Sequence, residues 1–170
     1  NKSTDKSKDI YQSFHDDRLY YFSSIDHTSL GEARNLAIEQ ATGEWISFLD
    51  VDDFINEDKL EKQINLIGGR KDIGFIYGRT KIIDTSLPSR ILRDQSSILP
   101  SGHIFPKLLE NNFVNYLSAL INREKLIKIP KIPNEFTQVE DYYIFLNLSK
   151  FYKVIAMDEF CCTYRIHGNN

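Results

Sequence analysis

The stretch from Trp45 to Asp53 limits the possible folds of this chain more than any other. An apolar run, Trp45–Leu49, is followed within four residues by three carboxylates, Asp50, Asp52 and Asp53. Near-continuous apolar runs of this length are typical of buried strands in parallel sheets. In open α/β sheets, ligands bind at the carboxyl ends of the strands. The sequence therefore predicts a binding site where this strand ends.

The three carboxylates require an explanation, because they repel one another and lose hydration when they are buried together. Mg²⁺ prefers oxygen ligands and commonly takes one or two carboxylates together with substrate phosphates. We therefore predict a metal site that receives a phosphorylated substrate. The alternative is structural, since Asp53 could cap the next helix together with Glu57 and Asp58. This stretch alone leaves both interpretations open.

Length and composition favour one globular unit, and we expect residues 1–170 to form a single domain with one core. The net charge of −3 gives no basic surface for nucleic acid, so no nucleic-acid partner is expected. No apolar run approaches the length of a membrane span. The adjacent Cys161 and Cys162 are typical of small buried residues in a reducing compartment, which favours a cytoplasmic location.

Helices and strands alternate in the first half of the chain, which predicts a mainly parallel sheet. A capping-box pattern at Ser29–Glu32 predicts a helix that ends before Gly43, and a second at Thr137–Glu140 predicts a helix to about Phe151. Further predicted elements include strands at Leu19–Phe22, Ile73–Tyr77, Thr80–Ile83, Lys153–Met157 and Phe160–Tyr164, a helix at Asp58–Ile67 and a long loop from Asp84 to Gly102.

Polar residues at two predicted helix starts are further candidates for chemistry. Arg34 and Asn35 lie in the first turns of a helix, where Arg34 could hold a phosphate; the alternative is a solvated arginine. Glu140 is explained structurally as the capping-box partner of Thr137. Asp141 has no such partner and could act as a general base towards a substrate hydroxyl.

The end of the chain carries the segment Tyr164-Arg165-Ile166-His167. His167 follows a predicted strand and could bind a metal or touch a phosphate. The alternative is that it does neither, which is the common case for a single histidine near a terminus.

Taken in order, these segments resemble the inverting family 2 glycosyltransferases of the GT-A fold. The resemblance extends over nearly the whole chain and rests on Ala33-Arg34-Asn35, Ala41-Thr42-Gly43-Glu44, the apolar strand with Asp50-Val51-Asp52-Asp53, Glu140-Asp141 and Tyr164–His167. It implies an α/β, GT-A (Rossmann-like) fold with a mainly parallel central sheet flanked by helices. Residues 1–5 resemble the end of the loop after that family's second strand. We therefore expect the chain to be N-terminally incomplete, without the first β-α-β unit.

The resemblance also implies roles for single residues. Asp50 and Asp52 match the DxD motif, whose carboxylates bind the ribose and a divalent metal, Mg²⁺ or Mn²⁺, on the nucleotide diphosphate. Asp141 matches the base, and His167 lies where some relatives place a further metal or diphosphate contact. The remaining substrate or nucleotide contacts implied are Arg34, Asn35, Asp53, Glu140 and Arg165.

The expected function is the metal-dependent transfer of a sugar, with inversion, from a nucleotide-activated donor such as a UDP-sugar. The acceptor would be a hydroxyl of a glycan or of a lipid-linked sugar in bacterial polysaccharide biosynthesis, with residues Asp84–Asn115 on the acceptor side. Peripheral association with the inner face of the membrane is compatible with such an acceptor. The alternatives are a nucleotidyltransferase and a non-catalytic nucleotide-binding or scaffold fragment.

Overall fold

The computed structural model describes residues 5–23, 29–84, 90–93, 98–136 and 138–167. The helices are α1 (Ser7–Ser13), α2 (Leu30–Gln40), α3 (Lys59–Ile67), α4 (Phe105–Glu110), α5 (Arg123–Leu126) and α6 (Glu140–Phe151), with a 3₁₀ turn at Tyr116–Ser118. The strands are β1 (Trp45–Ile46), β2 (Phe54–Ile55), β3 (Ile73–Asp84), β4 (Arg90–Arg93), β5 (Leu120–Asn122) and β6 (Lys153–Ile166).

The described strands form one sheet in the order β1-β5-β3-β6-β2, with β4 also paired to β3. This mixed α/β architecture confirms the predicted fold class. A parallel majority is not confirmed, because β3 with β6 is the one parallel pair among the described strands and the other pairs are antiparallel. The alternation of helices and strands in the sequence indicates the number of strands but not their directions. The short strands β2 and β5 run antiparallel to their long neighbours β6 and β3.

The strand that precedes the aspartate cluster is shorter than predicted and lies at an edge of the described sheet, not at its centre. Only Trp45 and Ile46 pair, and their partners are Asn122 and Ile121 of β5. Residues 47–50 continue without a ladder partner in the described part of the chain. The predicted strand at Leu19–Phe22 is also wrong, because these residues belong to no strand of the described sheet.

The two long strands were each predicted as two short ones. β3 runs through Gly78 and β6 runs through Asp158, and their parallel ladder extends from Ile73 opposite Lys153 to Asp84 opposite Ile166. Near Gly78 the pairing of the two strands shifts in register, but the ladder continues on both sides of the shift. The predicted loop after Asp84 is partly wrong as well, because β4 pairs with the end of β3 inside it; residues 85–89 and 94–97 of that loop lie outside the described residues.

Helices pack on both faces of the sheet. Side chains alternate along β3, so that Phe75 and Tyr77 belong to one buried cluster and Ile76 belongs to another. α6 contributes Phe145 to the first cluster, and α3 contributes Ile67 to the second. The sheet is thus the middle layer of three.

Candidate active site

Arg34 is held in a buried ion pair. The capping box of α2 is confirmed, since the Ser29 side chain accepts from the backbone N–H of Glu32 and the Glu32 carboxylate accepts from that of Ser29. In the second turn of this helix, the Arg34 side chain is 11% exposed and pairs with Glu140. A guanidinium nitrogen also lies 3.7 Å from an Asp50 carboxylate oxygen. The prediction of a solvated arginine is therefore wrong, and the charge of Arg34 is already matched by two carboxylates.

Glu140 does not have the predicted capping role. α6 begins at Glu140 itself, with Val139 at the N-cap and no side-chain cap, so that the helix starts two residues later than a cap at Thr137 predicts. Thr137, the predicted capping partner, lies outside the described residues. The Glu140 carboxylate is buried and turns towards Arg34, 106 residues away in the sequence. The ion pair explains the position of this carboxylate in the interior.

Asp141 follows Glu140 in the first turn of α6. One of its carboxylate oxygens accepts a hydrogen bond of 2.7 Å from the Tyr142 backbone N–H. Burial raises the pKa of Asp141, and the nearby Glu140 charge adds to this effect. A carboxylate of this kind is a better proton acceptor than an exposed aspartate.

These groups meet in one cavity of about 240 Å³. Its walls come from α2, from the turn after β1, from the 3₁₀ turn before β5 and from the start of α6. The cavity therefore brings together Asp50 and Asp141, which are 91 positions apart in the chain. The lining residues are Arg34, Asp50, Asp53, Asn115, Tyr116, Leu117, Gln138, Glu140, Asp141 and Tyr164.

The carboxylates of the Asp50–Asp53 turn point to different partners. Asp50 faces Arg34 and the cavity, whereas Asp53 is buried and accepts a 2.9 Å hydrogen bond from the Arg165 backbone N–H. Burial raises the pKa of Asp53. The Arg165 side chain donates to the backbone carbonyl of Asp52 and stacks on Phe54, at 4.6 Å from the ring centre. Asp53 and Arg165 therefore fasten the turn to the end of β6.

Asp52 lies beside His167. The imidazole Nε2 is 2.9 Å from an Asp52 carboxylate oxygen, and each side chain is 36% exposed. The hydrogen bond from His167 lowers the pKa of Asp52 and keeps this carboxylate ionised. Among the described residues, the structure contains no group of three or more histidine, cysteine, aspartate or glutamate side chains that could hold a metal ion.

Asn35 lies apart from this cavity. Its amide nitrogen donates to the Ile132 carbonyl at 2.9 Å, and its amide oxygen accepts from the Ile132 N–H at 3.1 Å. Both functions of the amide are used to hold the 130–133 segment against α2. The expected contact between Asn35 and the nucleotide thus has no support in this geometry.

Two buried residues of the site were missed in the sequence. The Tyr116 ring lies between the Arg34 guanidinium, 4.4 Å from the ring centre, and the stacked Phe48 ring at 4.6 Å. Lys59 is completely buried, and its ammonium donates to the Ser47 hydroxyl at 2.7 Å and to the Ala119 carbonyl at 3.2 Å. An aromatic residue in an apolar segment is typical of a core, and a lysine between acidic residues is typical of a surface helix. Neither residue therefore gave a functional signal.

Lys59 connects two walls of the cavity. Ser47 precedes Asp50 by three residues, and Ala119 follows Tyr116 by three residues. Burial lowers the pKa of Lys59. Its two hydrogen bonds therefore fix the distance between the aspartate turn and the 3₁₀ turn that carries Tyr116.

Comparisons with known proteins identify the family of this chain. A family model described as "Glycosyltransferase like family 2" matches residues 1–170, and the chain therefore belongs to this family. A putative teichuronic acid biosynthesis glycosyltransferase, TuaG of Bacillus subtilis, is 29% identical over 99% of the chain. A UDP-Glc:alpha-D-GlcNAc-diphosphoundecaprenol beta-1,3-glucosyltransferase, WfgD of Escherichia coli, is 29% identical over 96% of the chain.

The fold is also similar to that of S. aureus TarS residues 1–349, solved in complex with UDP-GlcNAc. The TM-score is 0.73 at 18% identity, over 99% of this chain and 48% of that chain. The chain spans 66% of the length of TuaG and 62% of that of WfgD, which is less than two thirds of each. None of the described helices is both long enough and apolar enough to cross a membrane.

Proposed function

We propose that this protein transfers a sugar from a nucleotide-activated donor to a hydroxyl of a glycan or lipid-linked acceptor, and that the cavity between α2 and α6 is the site of transfer. The observation that carries the proposal is the placement of Asp50 and Asp141 on the walls of one cavity, beside the Asp52–His167 pair. Residues 1–170 would then be one glycosyltransferase domain.

Asp141 is the proposed base. Its raised pKa makes it a suitable acceptor for the proton of an alcohol, and it belongs to the first turn of a packed helix that holds it in position. As Asp141 takes the proton, the acceptor oxygen attacks the anomeric carbon and the bond to the diphosphate breaks. A single displacement of this kind inverts the anomeric centre.

The donor side is proposed at the Asp50–Asp53 turn. Asp50 would contact the ribose, and Asp53 and Arg165 would act by holding the turn. Asp52 and His167 fit a site for Mg²⁺ or Mn²⁺, because an ionised carboxylate and an imidazole lie side by side with part of each exposed. The remaining coordination positions would go to diphosphate oxygens, as is usual for Mg²⁺. A metal ion held there would neutralise charge on the leaving diphosphate.

We propose a UDP-sugar as the donor and a lipid-linked glycan as the acceptor. The support is that TarS was solved with UDP-GlcNAc and that WfgD is named for transfer to a diphosphoundecaprenol-linked sugar. The protein would then work in the cytoplasm, in peripheral contact with the inner face of the membrane.

Replacing Asp52 with Ala tests the donor side. We expect wild-type protein to bind UDP more tightly with Mn²⁺ than without it, and Asp52→Ala to lose this difference and metal-dependent turnover of the UDP-sugar. Isothermal titration calorimetry with UDP, with and without Mn²⁺, measures the effect.

The matched control is Asp72→Ala. Asp72 forms an exposed ion pair with Lys153, 3.0 Å long and outside the cavity. The Asp72→Ala variant should therefore bind UDP and Mn²⁺ as the wild type does. Wild-type protein that binds UDP equally well with and without Mn²⁺ would exclude the proposed metal site.

A further inference from the structure

Two polar side-chain atoms at the cavity wall are buried from solvent and make no hydrogen bond within the described part of the chain. These atoms are the Tyr116 hydroxyl oxygen and the Glu140 Oε2. Both residues line the same cavity. Buried polar groups are nearly always satisfied in native proteins, and exceptions often mark sites where a ligand supplies the missing bond.

The Tyr116 ring itself is not available to a ligand. Arg34 covers one face and the stacked Phe48 covers the other, and Phe145 approaches at 6.0 Å with an edge-on geometry. A nucleobase therefore has no free face of this ring to stack on. What Tyr116 can offer to a ligand is its hydroxyl.

The chemistry around this hydroxyl selects the kind of group that it can bind. Burial raises the pKa of Tyr116 well above its ordinary value, so the phenol is neutral and can donate a proton in a hydrogen bond. The Arg34 guanidinium and the carboxylates of Asp50, Glu140 and Asp141 all act on it electrostatically. Three negative charges outnumber the one positive charge, so a phosphate would be repelled, whereas a neutral alcohol would not.

We infer that the Tyr116 hydroxyl and the Glu140 carboxylate together bind a hydroxyl group of the sugar that is transferred. An alcohol accepts one hydrogen bond and donates another, which matches a phenol donor beside a carboxylate acceptor. Tyr116 is thereby a specificity residue for the donor sugar. This inference rests on the proposed function, and it places the sugar, not the diphosphate, against the wall formed by the 3₁₀ turn and α6.

The test is Tyr116→Phe in the intact protein, which removes the hydroxyl and keeps the ring between Arg34 and Phe48. With Mn²⁺ present, we expect the affinity for UDP-GlcNAc or UDP-glucose, whichever the wild type binds, to fall about tenfold. The affinity for UDP should stay within twofold of wild type, because UDP lacks the transferred sugar whose hydroxyl Tyr116 is proposed to bind. The melting temperature should not fall, because the hydroxyl that is removed has no partner to lose.

Tyr77→Phe is the matched control. The Tyr77 hydroxyl donates to the Pro100 carbonyl at 2.8 Å, and its buried ring lies outside the cavity. This variant should lose thermal stability and keep the wild-type ratio of UDP-sugar to UDP affinity.

Three results separate the possible failures. Equal losses of UDP and UDP-sugar affinity in Tyr116→Phe, or a fall in melting temperature like that of Tyr77→Phe, would make Tyr116 a structural residue. Unchanged UDP-sugar affinity would also overturn the inference, while leaving the proposed function intact. Wild-type protein that binds neither UDP-sugar would overturn the proposed function and this inference with it.

Discussion

Replacing Asp141 with Asn should lower kcat for sugar transfer by about 10²–10⁴-fold, the usual contribution of a general base. Asparagine keeps the size of the side chain and can still accept the hydrogen bond from the Tyr142 N–H. What it loses is the ability to take a proton from the acceptor alcohol. Steady-state kinetics with a saturating UDP-sugar, together with UDP titration of the same variant, measures both quantities.

The rate of sugar transfer should also depend on pH through the ionisation of Asp141. The base acts in its ionised form, so transfer by the wild type should be lost as the pH falls through the pKa of Asp141. Because burial raises this pKa, the acid limb should lie above the range of an ordinary aspartate. The residual activity of Asp141→Asn should lack this limb. Loss of UDP binding in Asp141→Asn, with kcat retained, would instead make Asp141 a donor contact.

Replacing Arg34 with Met should lower the free energy of unfolding by about 3–5 kcal/mol, the usual cost of leaving one partner of a buried ion pair without the other. The Arg34 side chain is 11% exposed and that of Glu140 is 4% exposed, so solvent compensates little for the loss. Arg34 also covers one face of Tyr116, and this contact is lost at the same time. Urea unfolding followed by circular dichroism gives the free energy.

The second variant of this series is a double variant that combines Arg34→Met with Glu140→Gln. Removing both charges leaves no buried charge without a partner, so the double variant should be more stable than Arg34→Met alone. The control is Lys131→Met, since Lys131 forms an exposed ion pair with Glu39. This variant should lower the free energy of unfolding by about 1 kcal/mol or less. A double variant less stable than either single variant would mean that the Arg34–Glu140 pair is not what stabilises this wall of the cavity.

The sequence predicted the elements whose signals are local. The capping box at Ser29 and the helix ending before Gly68 depend on neighbouring residues, and the structure has both. Strand lengths and directions depend on partners elsewhere in the chain. The apolar run from Trp45 to Leu49 therefore looked like a full central strand, although only two of its residues find a partner, on β5.

The same distinction applies to the site. Asp50 and Asp141 could be predicted because their residue types and order along the chain match a known family. The Arg34–Glu140 pair could not, because its members are 106 positions apart and each has a local explanation as a helix residue. Tyr116 and Lys59 become visible only when burial is known, since the first looks like core and the second like surface.

The most direct test of this account is the position of Mn²⁺ in crystals of the protein grown with UDP, located by anomalous X-ray scattering. We predict one strong peak in contact with a carboxylate oxygen of Asp52, on the side of the Asp50–Asp53 turn that faces the cavity lined by Asp141. A UDP molecule bound away from Asp50 and Asp52, or a manganese peak on the far side of the sheet from Asp141, would contradict it.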